Sequence, residues 1–223
     1  SSSAASDVYK RQTSTLVGMA LQDGTISSLD DPAEKYAPQF AGTAYGETSI
    51  RHMLMMSSGI DFFHGSGSPD RRDFYNDLLQ EGADFDKWAA ALGRRVQGGT
   101  DFNYILTDTH VLSAVLRGAY AKPFPEIVQE KLWEPFGFGE AQWGLDFHGH
   151  ATGHWSLAPT LQDFAHLGQL YLEDLMLDGN PTVTNDWIDM VANAQAPFQE
   201  PRADNEGNVI EGYSFQFWLP LDY

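Results

Sequence analysis

Residues 13–24 have the sequence TSTLVGMALQDG and set the framework for the rest of the chain. The apolar residues of this stretch recur at the spacing of one face of an α-helix. They are Leu16, Val17, Ala20 and Leu21. Gly24 follows them at the place where a left-handed residue commonly ends a helix. The pattern therefore predicts a helix with one buried face that begins at Thr13 and ends before Gly24.

The net charge and the composition of the chain limit the kinds of molecule that it is expected to bind. The chain has 223 residues, and 13 Lys and Arg residues against 31 Asp and Glu residues give a net charge of −18. A field of that sign repels phosphate backbones and anionic headgroups, so nucleic acid and anionic membranes are not expected as partners. No run of about 18 apolar residues occurs, so no membrane span is expected. The absence of Cys excludes disulfides and a Cys nucleophile.

The amino-terminal residues do not reveal where the protein acts. Residues 1–12 lack the apolar core of a secretory signal, and they are small and polar at their start. The compartment, cytoplasmic or exported, therefore stays open, as does the oligomeric state.

Further helices are predicted where a polar or proline start signal precedes apolar residues at helical spacing. They cover residues 50–56, 71–79, 85–92, 107–119, 125–132, 159–175 and 185–193. Thr107 and Asn185 are the expected N-caps of two of them.

A strand signal comes late in the chain. Tyr213, Phe215 and Phe217 alternate with Ser214 and Gln216, as in a half-buried strand. A single strand would leave an open edge and exposed aromatic faces, so the sheet is expected to continue beyond the last residue. A chain without those strands is expected to be marginally stable and to associate through its exposed apolar surface.

Two residues have the side chains needed for nucleophilic catalysis. On a helix, positions i and i+3 share a face, so a Ser three residues before a Lys places its hydroxyl beside an amine that can take its proton. Lys10 has the place of that amine, whereas Asp7 stands where the Ser would be. Tyr104, just before a predicted helix, is the candidate for passing a proton to a leaving group. The alternative for Tyr104 is an ordinary half-buried aromatic residue.

Six stretches, in this order, resemble one known family. They are residues 13–24 (TSTLVGMALQDG), 28–36 (SLDDPAEKY), 50–62 (IRHMLMMSSGIDF), 102–112 (FNYILTDTHVL), 157–172 (LAPTLQDFAHLGQLYL) and 212–218 (GYSFQFW). The family is that of the serine β-lactamases and penicillin-recognising hydrolases, in particular class C β-lactamase-like esterases and 6-aminohexanoate-dimer hydrolases.

The resemblance implies an α/β fold of the β-lactamase/transpeptidase type, in which a mostly helical lobe joins an antiparallel sheet and the active site lies between them. It implies one domain over residues 13–223, with the helical lobe at about 48–185 and a partial sheet region at 186–223. Residues 1–12 would be a lead outside the family, and the last strands of the sheet would be missing.

The resemblance also implies a reaction. A serine hydroxyl attacks a small-molecule ester or amide, Lys10 acts as base, Tyr104 shuttles the proton, and no metal or organic cofactor takes part. Three departures put activity in doubt: Asp7 replaces the Ser, Leu106 replaces the polar third residue of the Tyr104 motif, and the third motif is expected beyond Trp218. We therefore expect this chain to be inactive, and the alternative function is a catalytically silent module that binds a ligand or partner.

Several other residues have both a functional and a structural interpretation. His148, His150 and His154 suggest a metal site, but no carboxylate pattern accompanies them, so loop residues are the simpler interpretation. His154 and Trp155 are predicted either to border the substrate or to pack within the loop. Ser57 and Ser58 are predicted to stabilise the end of a helix and not to act as nucleophiles.

Overall fold

The structure, a computed structural model, describes residues 8–65, 68–151, 153, 157–203 and 208–220. Its first helix, α1 (Val8–Gln22), begins at Val8 and not at Thr13, so residues 8–12, assigned from sequence to the lead, are helical. The predicted burial of its apolar residues is confirmed, because Leu16 and Val17 are inaccessible to solvent, but residues 12–20 are all buried, so the helix is enclosed on every side and not on one face alone. Gly24 has a φ of +77°, as the predicted helix end required.

The other helices mostly occupy the predicted stretches. They are α2 (Ile50–Leu54), α3 (Pro69–Tyr75), α4 (Phe85–Ala90), α5 (Leu106–Tyr120), α6 (Phe124–Val128), α7 (Leu161–Leu172) and α8 (Trp187–Ala192). Single turns of 3₁₀ helix lie at Ala33–Lys35, Pro38–Phe40 and Pro197–Gln199, and π turns at Asn76–Gln80 and Gln129–Trp133. In the described part of the chain, no helix has the length and apolar character needed to cross a membrane.

Helix α5 is the centre of the helical lobe. Every residue from Leu106 to Leu116 is buried, because α1, α2, α4 and α6 all pack against this helix. A helix that is apolar or buried on all sides belongs to the interior of a domain. The residues at its amino-terminal end are therefore held in a fixed position.

Two predicted N-caps are wrong. Helix α5 begins at Leu106 with Ile105 as its N-cap, and Thr107 lies buried inside the first turn. Helix α8 has Asp186 and not Asn185 as its N-cap, and the Asp186 side chain makes no capping hydrogen bond. Both helices are stabilised by burial of their apolar residues, which outweighs the contribution of about 1 kcal/mol from a cap.

The described strands form four two-stranded antiparallel sheets. Their pairs are β1 (Gln142–Trp143) with β2 (Leu157–Ala158), β3 (Met176–Leu177) with β4 (Asn180–Pro181), β5 (Arg202–Ala203) with β6 (Val209–Ile210), and β7 (Gly212–Ser214) with β8 (Phe217–Leu219). Helices together with small antiparallel sheets confirm the predicted α/β class.

The single strand predicted at residues 213–218 is wrong. The chain reverses there, and Ser214 of β7 pairs with Phe217 of β8. Phe215 and Gln216 form the turn and have φ values of 43° and 71°. A two-residue turn with both residues left-handed fits the twist of a hairpin, although Gly and Asn are the usual residues in it. The alternating pattern thus marked a hairpin and not one extended strand.

The turn is stabilised by the side chain of Gln216. Its Oε1 accepts a hydrogen bond of 2.7 Å from the Thr109 hydroxyl, and its Nε2 donates one of 3.0 Å to the Met53 carbonyl. Its backbone N–H donates to the Leu54 carbonyl at 3.1 Å. A side chain from the turn therefore ties the hairpin to both α2 and α5.

Phe215 is not exposed as the sequence led us to expect. It is inaccessible to solvent and packs on Trp187, with 5.4 Å between the ring centroids. Its carbonyl accepts a hydrogen bond of 2.7 Å from the Ser14 hydroxyl of α1. Phe217 is half-buried. The aromatic surface that we expected to be exposed is therefore largely buried by other residues of the chain.

Replacing Gln216 by Leu should lower the free energy of unfolding by about 3 kcal/mol, because the Thr109 hydroxyl and the Met53 carbonyl would lose their partners in a dry interior. Urea unfolding followed by circular dichroism measures this. Gln195 is the matched control, since its exposed amide also donates to two backbone carbonyls. Water replaces those bonds, so Gln195→Leu should change stability by less than about 0.5 kcal/mol. Equal effects of the two substitutions would contradict the role given to Gln216.

Candidate active site

The structure brings Lys10 and Tyr104 together. Lys10 lies on α1 and is only 3% exposed, and its Nζ is 3.7 Å from the centroid of the Tyr104 ring. Tyr104 lies in the extended segment that leads into α5, and α1 packs against α5. An ammonium group at that distance from an aromatic face is stabilised by the ring quadrupole. The two candidate residues thus share one site although 94 positions separate them.

Asn103 positions the segment that carries Tyr104. Its side-chain Nδ2 donates to the Phe62 carbonyl at 2.8 Å, and its backbone N–H donates to the Met56 carbonyl at 2.8 Å. Both acceptors belong to the loop that follows α2. These two hydrogen bonds fix the backbone next to Tyr104 and so help to place its ring.

Four aromatic rings form a layer beside Lys10, which we call the aromatic layer. Its members are Phe102, Tyr104, Tyr213 and Trp218. The Tyr104 ring lies 5.7 Å from Tyr213 and 5.1 Å from Trp218, measured between centroids. Phe102 lies 5.3 Å from Tyr213. Because β7 and β8 supply two of the rings, the hairpin forms one wall of the site.

A buried carboxyl group lies within electrostatic reach of Lys10. Asp108 is inaccessible to solvent, and the Tyr45 hydroxyl lies 2.7 Å from its Oδ1 and 2.6 Å from the Thr107 hydroxyl. Burial raises the pKa of Asp108 to about 7, although hydrogen bonding from Ser58 and Tyr45 and the charge of Lys10 act in the opposite direction. Sequence reasoning missed Asp108.

His64 is a second group that sequence reasoning missed. Its ring packs 6.1 Å from Phe62 and 6.0 Å from Phe74. Burial, together with the positive charges of Arg71 and Lys10, lowers the pKa of His64 to about 4. The imidazole is therefore neutral near pH 7, and its Nε2 is enclosed without a hydrogen-bond partner among the described residues. A His within an aromatic cluster looks like core filler in a sequence, which is why it drew no attention.

Some predicted site residues lie outside the described residues. They are Asp7, His154 and Trp155. The neighbouring Gly153 is described, and its carbonyl accepts a hydrogen bond of 2.9 Å from the Thr13 hydroxyl, one helical turn after Lys10. The chain at Gly153 is therefore attached to α1 close to the candidate site.

The remaining candidates have structural contacts. His148 and His150 stack with 6.5 Å between ring centroids, and the part of the chain that the structure describes contains no group of three or more metal-ligating side chains. The Ser57 hydroxyl donates to the His52 carbonyl at the end of α2. Ser58 is buried, and its carbonyl accepts a hydrogen bond of 2.9 Å from Arg94.

Comparison with known sequences identifies a family and a curated relative. The sequence model of the Beta-lactamase family matches residues 7–217. The 6-aminohexanoate-dimer hydrolase of Paenarthrobacter ureafaciens is 24% identical over 192 residues, which are 82% of this chain and 49% of that protein. The chain thus spans about half the length of this relative.

Solved structures resemble the whole chain. A proposed 6-aminohexanoate-dimer hydrolase from Bacillus anthracis has a TM-score of 0.80 at 20% identity and covers 97% of this chain, which spans 58% of that protein. A D-stereospecific amidohydrolase from Streptomyces sp. has a TM-score of 0.67 at 15% identity, with 94% of this chain and 68% of that protein covered. At such identities the likeness shows the fold alone.

Proposed function

Because this chain belongs to the Beta-lactamase family and has the fold of that family, we propose that it has the framework of a serine hydrolase that cleaves an ester or amide through an acyl-enzyme, and that with Asp7 at the position of the nucleophile the chain as it stands is inactive. The observation that supports this most directly is the 3.7 Å contact between Lys10 Nζ and the Tyr104 ring. A base and a proton shuttle must both reach one reacting group, and these two residues come from distant parts of the chain to the same site.

The proposed reaction has two steps. In a chain with Ser in place of Asp7, the serine hydroxyl would attack the carbonyl carbon while Lys10 Nζ takes its proton, and the Tyr104 ring would stabilise the ammonium that forms. Tyr104 would then relay that proton from the Lys10 ammonium to the leaving amine or alcohol as the bond to the carbonyl carbon breaks, so that both side chains regain their starting protonation states. Water attacks the acyl-enzyme in the second step, which releases the acid and restores the hydroxyl.

The substrate is proposed to be a small-molecule ester or amide. Support comes from the related proteins, which are named as a 6-aminohexanoate-dimer hydrolase and an amidohydrolase. His154 and Trp155 are proposed to border the substrate, since the chain at Gly153 is attached to α1 beside Lys10.

A second candidate function is a ligand-binding module without chemistry. It is favoured by Asp7, because a carboxylate at the position of the nucleophile has no hydroxyl with which to form an acyl-enzyme. In that case Lys10 and the aromatic layer would only hold a ligand.

Covalent labelling separates the two functions. The chain as it stands should gain no mass from a fluorophosphonate or a penicillin, whereas Asp7→Ser should gain one adduct per chain from the fluorophosphonate. Intact-protein mass spectrometry measures this, and Asp7→Ala serves as the control that should stay unlabelled. An unlabelled, folded Asp7→Ser variant would favour the binding module, and a labelled parent chain would contradict both the mechanism and the expected inactivity.

A further inference from the structure

A pocket of about 480 Å³ lies directly behind the aromatic layer. Phe102, Tyr213 and Trp218 form one side of it. Ile210 of β6 and Phe198 form part of the other side. Walls of this kind favour flat apolar groups, because aromatic rings stack edge-to-face or offset on one another.

The pocket shares two rings with the candidate active site. Tyr213 and Trp218 line the pocket and also contact Tyr104, at 5.7 and 5.1 Å between centroids. These two rings thus form a wall common to the pocket and to the site around Tyr104. A substrate with its reacting carbonyl at Lys10 that extends past the edge of this wall could place a second group, several bonds away, in the pocket.

The rim of the pocket carries an arginine, Arg202, for which the described residues provide no ion-pair partner. Arg202 of β5 borders the pocket and is exposed, and its Nη1 donates only a long hydrogen bond of 3.3 Å to the Phe198 carbonyl. None of the ion pairs among the described residues includes Arg202, although the chain has a net charge of −18. A guanidinium that is exposed and makes no ion pair with the described residues can bind a carboxylate of a ligand through two parallel hydrogen bonds.

Glu211 limits how much negative charge the pocket accepts. It also borders the pocket, so a ligand with several anionic groups would be repelled. The combination of aromatic walls, one guanidinium that makes no ion pair with the described residues and one carboxylate fits a ligand with a flat apolar ring and a single carboxylate.

We propose that this pocket binds an arylalkanoate group of the substrate, with its ring against Phe102, Tyr213 and Trp218 and its carboxylate at Arg202. The inference rests on the proposed function and adds to it a substrate class: an ester or amide that carries an aryl ring and a free carboxylate at the end remote from the reacting carbonyl.

Binding of 4-phenylbutyrate to the chain as it stands tests the inference. Two-dimensional ¹H–¹⁵N NMR spectra follow the signal of the Trp218 indole N–H. This signal is assigned by its disappearance from the spectrum of Trp218→Phe. We expect a saturable shift of this signal. Arg202→Gln should raise the Kd for 4-phenylbutyrate about tenfold and leave the weaker Kd for the neutral 4-phenylbutanol unchanged, because only the carboxylate meets the guanidinium. Arg202 is exposed, so this variant keeps its fold.

The chain offers a matched control for non-specific binding to aromatic residues. A second cleft, of about 810 Å³, is lined by Trp133, Phe138 and Trp143 and has no arginine at its rim. Trp143→Phe should leave the Kd unchanged. Absence of saturable binding, an equal Kd in Arg202→Gln, or a shift at Trp143 and not at Trp218 would overturn the inference. The binding needs no nucleophile, so a failed labelling of Asp7→Ser would remove the hydrolase function and leave this result standing.

Discussion

Acylation by an activated ester is expected to slow about a hundredfold or more when Tyr104 is replaced by Phe in a chain that carries Asp7→Ser. The substitution keeps the ring that lies 3.7 Å from Lys10 Nζ and its contacts with Tyr213 and Trp218. Only the hydroxyl is lost, so the effect reports proton transfer and not packing. Rapid mixing with a p-nitrophenyl ester gives the rate of the acylation burst.

A second tyrosine provides the control. Tyr120 lies at the end of α5 and donates a hydrogen bond of 2.9 Å to Asp23, remote from Lys10. Tyr120→Phe in the same Asp7→Ser background should acylate at the rate of the unsubstituted variant. Unchanged acylation in Tyr104→Phe would remove Tyr104 from the mechanism. Loss of the burst in both variants would point to a general weakening of the fold.

Much of the helical lobe could be predicted from the sequence because its signals are local. The apolar spacing in α1 and the start signals of the later helices depend on residues within one or two turns of each other. Boundaries were less accurate, since α1 continues back to Val8 through polar residues that the pattern assigned to a lead. Burial against α5 keeps those turns helical, and no local pattern contains that information.

The hairpin at β7 and β8 could not be predicted for a similar reason. Phe215 and Gln216 are not turn residues by type, and a left-handed conformation costs each of them about 1–2 kcal/mol. The cost is offset by partners far away in sequence, such as Thr109 and Met53. A local pattern records the alternation of side chains but not the contacts that reverse the chain.

The candidate site was only partly visible in the sequence. Lys10 and Tyr104 were selected by residue type and resemblance, and the packing of α1 on α5 explains why they meet. Asp108 looked like an ordinary acidic residue in the first turn of a helix, where it would interact with the helix dipole. It is buried because Tyr45, which is 63 positions away, closes over it. A residue that is distant in sequence thus helps to bury Asp108, and this burial raises its pKa.

Replacing Asp108 by Asn should make the protein more stable at pH 8 and leave its stability unchanged at pH 4. Burial raises the pKa of Asp108 from 3.8 to about 7, so the folded state holds this proton more tightly than the unfolded chain. Below about pH 4 both states are protonated and the full stability is present. As the pH rises from about 4 to 7 the unfolded chain ionises first, and about 4 kcal/mol of stability is lost.

Asn has nearly the shape of protonated Asp and does not titrate, and its amide oxygen can still accept the hydrogen bond from Tyr45. The difference in unfolding free energy between variant and parent should therefore grow from near zero to about 4 kcal/mol between pH 4 and pH 8, as measured by urea unfolding across that range.

The pKa of Asp163 is shifted in the opposite direction, so this residue serves as the control for the sign of the effect. Burial works against it, but hydrogen bonds from Thr160 and the Gly139 N–H lower the pKa of Asp163. Its stabilisation is present above the unfolded pKa and is lost as the pH falls, so Asp163→Asn should be less stable than the parent at pH 8, by a margin that shrinks toward acid. If the Asp108→Asn difference does not vary with pH, Asp108 is ionised in the folded state, and the site beside Lys10 contains a buried ion pair in place of a neutral acid.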